Sequence, residues 1–198
     1  MGRIAAILLA AGGSSRLGQP KQLLHMDGRS LVRKAAETAL ASRCDEIYVV
    51  VGAVAAVVKQ ALSGVAVSVV RNPDWRSGIS GSIRCGLQRV CREHRDIDAV
   101  LILLVDQPMV DVDVLNGLIE TFQDGAELVA SEYAGTVGVP ALFSRVYFDA
   151  LRELTGDRGA KSVLLHYAGD VVTLPFPGGE SDVDTAEDWA RVGRSAKP

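Results

Sequence analysis

The 198-residue chain is poor in several things that would have set its class at once. Its cysteines are only Cys44, Cys85 and Cys91, an odd number at unpaired spacings, so neither a disulfide framework nor a zinc cluster is encoded. They are expected to be reduced, partly buried thiols, as in a cytoplasmic protein. No lysine/arginine block occurs and the formal net charge is −3. Nucleic acid or an anionic membrane surface is thereby excluded as the main partner, because neutralising a phosphate array needs a basic patch. The apolar run Ile4–Ala11 is too short to span a bilayer. It leads directly into Gly12-Gly13-Ser14-Ser15-Arg16, so it reads as a buried first strand rather than a signal-peptide core. Repeats and low-complexity tracts are missing as well. The three histidines, His25, His94 and His166, have no metal-ligand spacing.

What is present is an ordinary globular composition, 48% hydrophobic and 23% charged, over a length that suits one domain, residues 1–198. Continuous apolar runs at Ile4–Leu9, Ile47–Val51, Val65–Val70 and Val100–Val105 have the character of parallel strands buried on both faces. Helical patterns at Leu31–Ala41, Val54–Leu62, Ile83–His94 and Val112–Phe122 alternate with them. The last third predicts strands at Glu127–Tyr133, Ala141–Phe143 and Val171–Leu174. Helices are expected there at Val146–Leu154, Ala160–Tyr167 and Thr185–Val192, the last opened by a Thr185/Asp188 capping pair. The alternation predicts an α/β three-layer α/β/α sandwich with right-handed crossovers and a mostly parallel sheet. In such sheets ligands bind beyond the carboxyl ends of the strands, which points to the segments after Leu9, Val70 and Val105.

The segment after the first strand carries the most information. It reads Leu9-Ala10-Ala11-Gly12-Gly13-Ser14-Ser15-Arg16-Leu17-Gly18-Gln19-Pro20-Lys21. Small residues let backbone N–H groups approach phosphate oxygens, and Arg16 and Lys21 add positive charge. A Walker loop does not fit, because Lys21 does not directly follow a glycine and Pro20 precedes it. The dinucleotide fingerprint G-x-G-x-x-G is also absent.

This segment resembles the signature of the nucleotidyltransferases that attach a nucleotide to molybdopterin, within the wider superfamily of sugar-nucleotide and diphosphocytidyl synthases. Leu17 stands where methionine is commoner in that pattern. The resemblance extends through four further blocks in the same order: Asn72–Ser82, Asp106-Gln107-Pro108, Gly156–Lys161 and Asp182–Asp188. It implies a Rossmann-like nucleotide-diphospho-sugar transferase fold, with a nucleotide half at the N-terminus and an acceptor half at the C-terminus.

The chemistry implied is attack of an anionic phosphate on an α-phosphorus with departure of pyrophosphate. Such a step needs positioning and charge neutralisation more than a strong base. The resemblance makes Arg16, Lys21 and Asp106 the catalytic group, with Arg16 on the triphosphate and Lys21 near the α-phosphate. It makes Leu9, Ala10, Ala11, Gly12, Gly13, Ser14, Asn72, Gly81 and Ser82 nucleotide contacts, together with Arg16, Lys21 and Asp106. Mg²⁺ is the implied cofactor, held by Asp106 and Asp184, with Asp182 the competing second ligand. Gln107, Pro108, Pro140, Asp157 and Lys161 are the implied acceptor contacts.

Each of these has a plainer alternative. Asp106 serves equally as a turn or cap residue, Asp182 or Asp184 as a helix-start acid, Ser82 as an N-cap and Trp75 as core packing. Asp157 and Lys161 fit an exposed turn. Within the family, Leu9-Ala10-Ala11-Gly12 is similar to the cytidylyl rather than the guanylyl branch, because a methyl group at residue 11 crowds a purine. CTP is therefore the expected substrate and GTP the alternative. Molybdopterin is the implied acceptor, with a molybdoenzyme as a further partner. Val139, where the family often has histidine before Pro140, leaves another phosphorylated small molecule open. A non-catalytic carrier of the finished pterin cofactor is the competing class. Two metal carboxylates and two triphosphate cations argue against it.

Overall fold

The computed structural model describes residues 2–14 and 17–195. Nine strands are described: β1 (Ile4–Ala10), β2 (His25–Met26), β3 (Arg29–Ser30), β4 (Glu46–Val51), β5 (Ser68–Arg71), β6 (Ala99–Leu104), β7 (Leu128–Tyr133), β8 (Thr136–Ser144) and β9 (Val171–Pro175). The helices are α1 (Leu31–Ala41), α2 (Ala55–Ala61), α3 (Ile79–Glu93), α4 (Val112–Gln123), α5 (Phe148–Arg152), α6 (Ala160–His166) and α7 (Ala186–Ser195).

Seven strands form one sheet in the order β5-β4-β1-β6-β8-β7-β9, and β2 with β3 makes a separate two-stranded ribbon. Strand β1 lies inside the sheet, parallel to β4 and to β6, and every one of its residues is buried. A central strand with both faces covered has no need of polar alternation, hence Ile-Ala-Ala-Ile-Leu-Leu-Ala. Its residues still divide by parity. Ile4, Ala6, Leu8 and Ala10 join the layer that contains Leu31, Val32, Leu115 and Leu118 of α1 and α4. Ala5, Ile7, Leu9 and Ala11 join the layer of Ile83, Leu87, Phe148 and Leu164 from α3, α5 and α6. The result is the three-layer α/β/α sandwich expected from the alternation. Close approach of α3 to the sheet depends on Gly86, where a Cβ would fall 2.6 Å from Ile7 Cγ2.

Strand β8 runs antiparallel to both β6 and β7, whereas β9 is parallel to β7. The antiparallel strand is nine residues long where three were expected. Its first half was hidden because the hairpin turn is Ala134-Gly135, both at positive φ (48° and 70°). Two positive φ values suit the tight turn of a hairpin, and alanine is a poor sequence marker for one.

Other boundaries also move. Helix α3 begins at Ile79 rather than Ile83, so Ser82 lies inside its first turn and is not the N-cap. Strand β5 starts at Ser68 rather than Val65. The helix expected over Val146–Leu154 is a short 3₁₀ turn, Arg145–Tyr147, followed by α5. The capping pair before α7 is present. Asp188 N–H donates to Thr185 Oγ1 (3.1 Å), and Thr185 N–H and Oγ1–H donate to Asp188 Oδ2 (3.0 and 2.8 Å). Among the described residues no helix is long and apolar enough to cross a membrane. The three cysteines are free and half-buried, and burial pushes the Cys44 thiol up to about 11.

Candidate active site

The carboxyl ends of β1 and β6 open into a cavity of about 560 Å³. The segment after β1 supplies Ala11, Gly12 and Gly13 to its wall, and Lys21 and Gln22 follow from the 3₁₀ turn Lys21–Leu23. Trp75, Arg76, Gly78, Ile79 and Ser82 come from the approach to α3 and its first turn. Asp106 comes from the end of β6, and Asp157 from the turn before α6.

The first loop is held by a side chain that the motif did not flag. Gln22 is fully buried, and its Nε2 donates to the carbonyls of Ala10 (3.1 Å) and Gly12 (2.8 Å). These bonds fix the glycine segment against the turn that carries Lys21. Ser14, at φ 52°, accepts from the Lys21 backbone N–H through its Oγ (3.0 Å). Ser14 and Ala10 therefore shape the loop, while Leu9, Ala11, Gly12 and Gly13 reach the cavity. Arg16 lies outside the described residues.

Lys21 Nζ donates to Asp106 Oδ2 and, at 3.0 Å, to Asp184 Oδ1. Burial opposes the ammonium charge. The Asp106 carboxylate, by charge and hydrogen bond, and then Asp184 outweigh it, and the lysine pKa rises above its ordinary value. The Val183 N–H donates to the Asp106 carbonyl (2.9 Å), which ties the loop before α7 to the end of β6. That bond brings Asp182, Asp184 and Asp106 to one place. Asp106 Oδ1 and Asp182 Oδ1 are buried with no hydrogen-bond donor, a costly state for a carboxylate oxygen. Burial, and then the charge of Asp106, pushes Asp182 up to about 6.

Hard carboxylate oxygens gathered around an ammonium, two of them unpartnered, fit a divalent cation of the Mg²⁺ type. Such an ion takes one or two carboxylates and completes its shell with phosphate oxygens and water. Among the described residues no group of three His, Cys, Asp or Glu side chains could hold a metal ion by itself. Substrate oxygens would have to complete the shell.

Two of the expected nucleotide contacts sit behind the wall instead of in it. Asn72 is buried, donates from Nδ2 to Ser82 Oγ (3.1 Å) and accepts the Asp74 N–H at Oδ1 (3.0 Å). Gly81 packs against Ser77, where a Cβ would meet Oγ at 2.8 Å. Both face a neighbouring open pocket and shape the Asn72–Ser82 segment, while Ser82 itself reaches the cavity. Trp75 does more than fill the core. Its ring lies against Gly13, where a Cβ would come within 3.2 Å of Cζ3, and the Arg76 guanidinium lies 4.3 Å from the ring centroid.

The expected acceptor contacts divide as well. Gln107 is buried and donates from Nε2 to the Val139 carbonyl (3.0 Å), which also accepts from the Tyr133 hydroxyl (3.1 Å). Its Oε1 has no donor. Pro108 accepts at its carbonyl from Lys34 Nζ (3.0 Å), and Pro140, after a cis peptide bond, from Ser131 Oγ (2.8 Å). Lys161 is exposed on α6 and does not reach the cavity wall. Asp157 does, beside Gly78.

The model of the MobA-like NTP transferase domain matches residues 6–171. The chain is 32% identical to the nicotine blue oxidoreductase of Paenarthrobacter nicotinovorans, with 96% of each chain covered. It is 30% identical to the purine catabolism protein PucB of Bacillus subtilis, with 97% of each covered. The molybdenum cofactor cytidylyltransferase of Escherichia coli is 25% identical over 96% of this chain and 95% of that one. Among solved structures, Rv0371c of Mycobacterium tuberculosis superposes with a TM-score of 0.83 at 32% identity, covering 97% of this chain and 98% of that one. A complex of Rv0371c with manganese matches at the same TM-score and 30% identity, covering 98% and 99%.

Proposed function

The chain belongs to the MobA-like NTP transferase domain family, and from that premise we propose that it transfers CMP from CTP to molybdopterin in the cytoplasm. The observation that carries this reading is that Lys21, which bonds to both Asp106 and Asp184, lines with Asp106 the cavity walled by Ala11, Gly12 and Gly13. A phosphate oxygen of the acceptor attacks the α-phosphorus and forms the new P–O bond. The bond to the bridging β-oxygen breaks, and pyrophosphate departs with that electron pair.

The backbone of Gly12 and Gly13 accommodates the nucleotide, and Lys21, with Arg16 from the family pattern, neutralises the triphosphate. Asp106 and Asp184 would hold Mg²⁺, which when bound would supply charge neutralisation on the phosphates. The manganese complex of the mycobacterial relative supports a divalent ion here. The single domain thus combines a nucleotide half and an acceptor half. Gln107, Pro108 and the β7–β8 region sit on the acceptor side, and a molybdoenzyme is the eventual recipient.

The choice of CTP over GTP rests on Ala11, a residue of the cavity wall, and on the relative named as a cytidylyltransferase. A second reading, as an oxidoreductase, is favoured by the name of one relative. Against it stands a first loop without the dinucleotide fingerprint. A melting-temperature panel with CTP, GTP, ATP and UTP in Mg²⁺, beside one with NADH and NADPH, separates the two. A bound ligand raises stability by mass action. Stabilisation by CTP above the others supports cytidylyl transfer, and stabilisation by a nicotinamide dinucleotide alone contradicts it.

A further inference from the structure

Asp157 was expected on the acceptor side, yet its position is set by the α3 wall. Gly78 has φ 101°, and a Cβ there would lie 2.2 Å from the Gly156 carbonyl oxygen and 2.7 Å from Asp157 Oδ1. The Ser80 N–H donates to that same Gly156 carbonyl (3.2 Å). The turn that carries Asp157 is therefore seated on the first turn of α3, and only a glycine at position 78 lets it sit so close. Asp157 and Ser82 are both in the wall of the cavity that Gly12 and Gly13 line. Among the described residues Asp157 has no ion pair or hydrogen bond in the structure, although Arg76 lines the same cavity.

A carboxylate there is a poor neighbour for a triphosphate, since like charges in a half-enclosed site repel. It suits the part of a nucleotide that is uncharged and rich in donors. The nucleoside has such donors, in the exocyclic amine of its base and in its ribose hydroxyls, and a carboxylate accepts from either. Resting on the nucleotidyltransferase reading, we propose that Asp157 is a specificity residue of the nucleotide site, accepting hydrogen bonds from the nucleoside of the incoming triphosphate. The C-terminal half of the chain thereby closes the nucleotide site and does not serve the acceptor alone.

The test is calorimetric titration without acceptor, comparing CTP and inorganic tripolyphosphate on the parent protein, on Asp157→Asn and on Asp157→Ala. The parent should bind CTP more tightly than tripolyphosphate. In Asp157→Ala that advantage should shrink by about tenfold or more, the scale of a hydrogen bond to a charged group. Tripolyphosphate affinity should hold or improve. Asp157→Asn keeps one acceptor oxygen and should fall between the two. A UTP arm that loses less than CTP assigns the contact to the base amine, and a 2′,3′-dideoxy-CTP arm that loses less assigns it to the ribose. Equal losses for CTP and tripolyphosphate, or no loss for either, would overturn the proposal. Failure of the parent to bind any nucleoside triphosphate would overturn the nucleotidyltransferase reading itself.

Discussion

The Lys21 ammonium lies 3.0 Å from Asp184, 163 residues further along the chain, while also bonded to Asp106 at the end of the central strand β6. Lys21 thus joins a carboxylate from the middle of the sequence to one near its end. Substrate and metal would have to share those carboxylates with it.

From this exchange comes a first prediction, separating two roles of one side chain. Lys21→Ala should lower turnover far more than it weakens CTP binding, because charge that develops in the transition state is felt most by the nearest cation. In the absence of nucleotide the same variant should bind Mn²⁺ more tightly, by about tenfold, equivalent to about 1.4 kcal/mol. Electron paramagnetic resonance of free Mn²⁺ measures this without any assay of activity. Unchanged affinity would mean that lysine and metal do not compete.

A second prediction concerns pH. The folded state raises Asp182 to about 6 by burial and by the charge of Asp106, while an unfolded aspartate titrates near ~4. Between those values the native state holds more protons than the unfolded one, so stability falls as pH rises. The decline should be complete by pH ~7 and, reduced by solvent screening of this partly exposed side chain, amount to roughly 2 kcal/mol. Asp182→Asn should abolish that slope and leave the protein more stable at neutral pH. Urea unfolding at pH 4.5, 5.5 and 7 reads the difference, and a slope that persists in the variant would assign it to another group.

The third prediction tests Gln22. Gln22→Ala should cost about 1–3 kcal/mol, since it leaves the buried carbonyl of Ala10 and that of Gly12 without their donor. It should also weaken CTP binding by loosening the glycine segment, although the side chain carries no charge. A variant as stable as the parent would show that water replaces both bonds.

Base choice gives a fourth. If the Ala11 methyl group excludes a purine, Ala11→Gly should raise the efficiency with GTP relative to CTP by about tenfold, the scale of one methyl group in a fitted pocket. A parent protein that uses GTP as well as CTP would contradict the assignment of the base but not the transfer chemistry.

Much of this architecture was legible because β1, β4 and β6 are buried on both faces and so write continuous apolar runs. The same economy made Asp106 stand out, since a carboxylate directly after such a strand is costly unless it is paired or metal-bound. Three features were hidden for identifiable reasons. Gln22 does its work through an uncharged side chain bonded to backbone carbonyls, which no spacing rule reports. The start of β8 lay behind a turn made with alanine. Asp157 was assigned to the acceptor by the family resemblance of the Gly156–Lys161 block, which does not say what packs against that turn. The seat that Gly78 provides for it exists only once α3 and the turn before α6 are packed together.

The most direct measurement is the incubation of the purified protein with α-labelled CTP, Mg²⁺ and molybdopterin, following pyrophosphate and the labelled pterin product together. Equal amounts of the two, abolished in Asp106→Ala and Asp184→Ala variants that keep the parent's circular dichroism, are the predicted result. Absence of pyrophosphate and of labelled product with both CTP and GTP, under conditions where the pterin binds, would contradict nucleotidyl transfer to this acceptor.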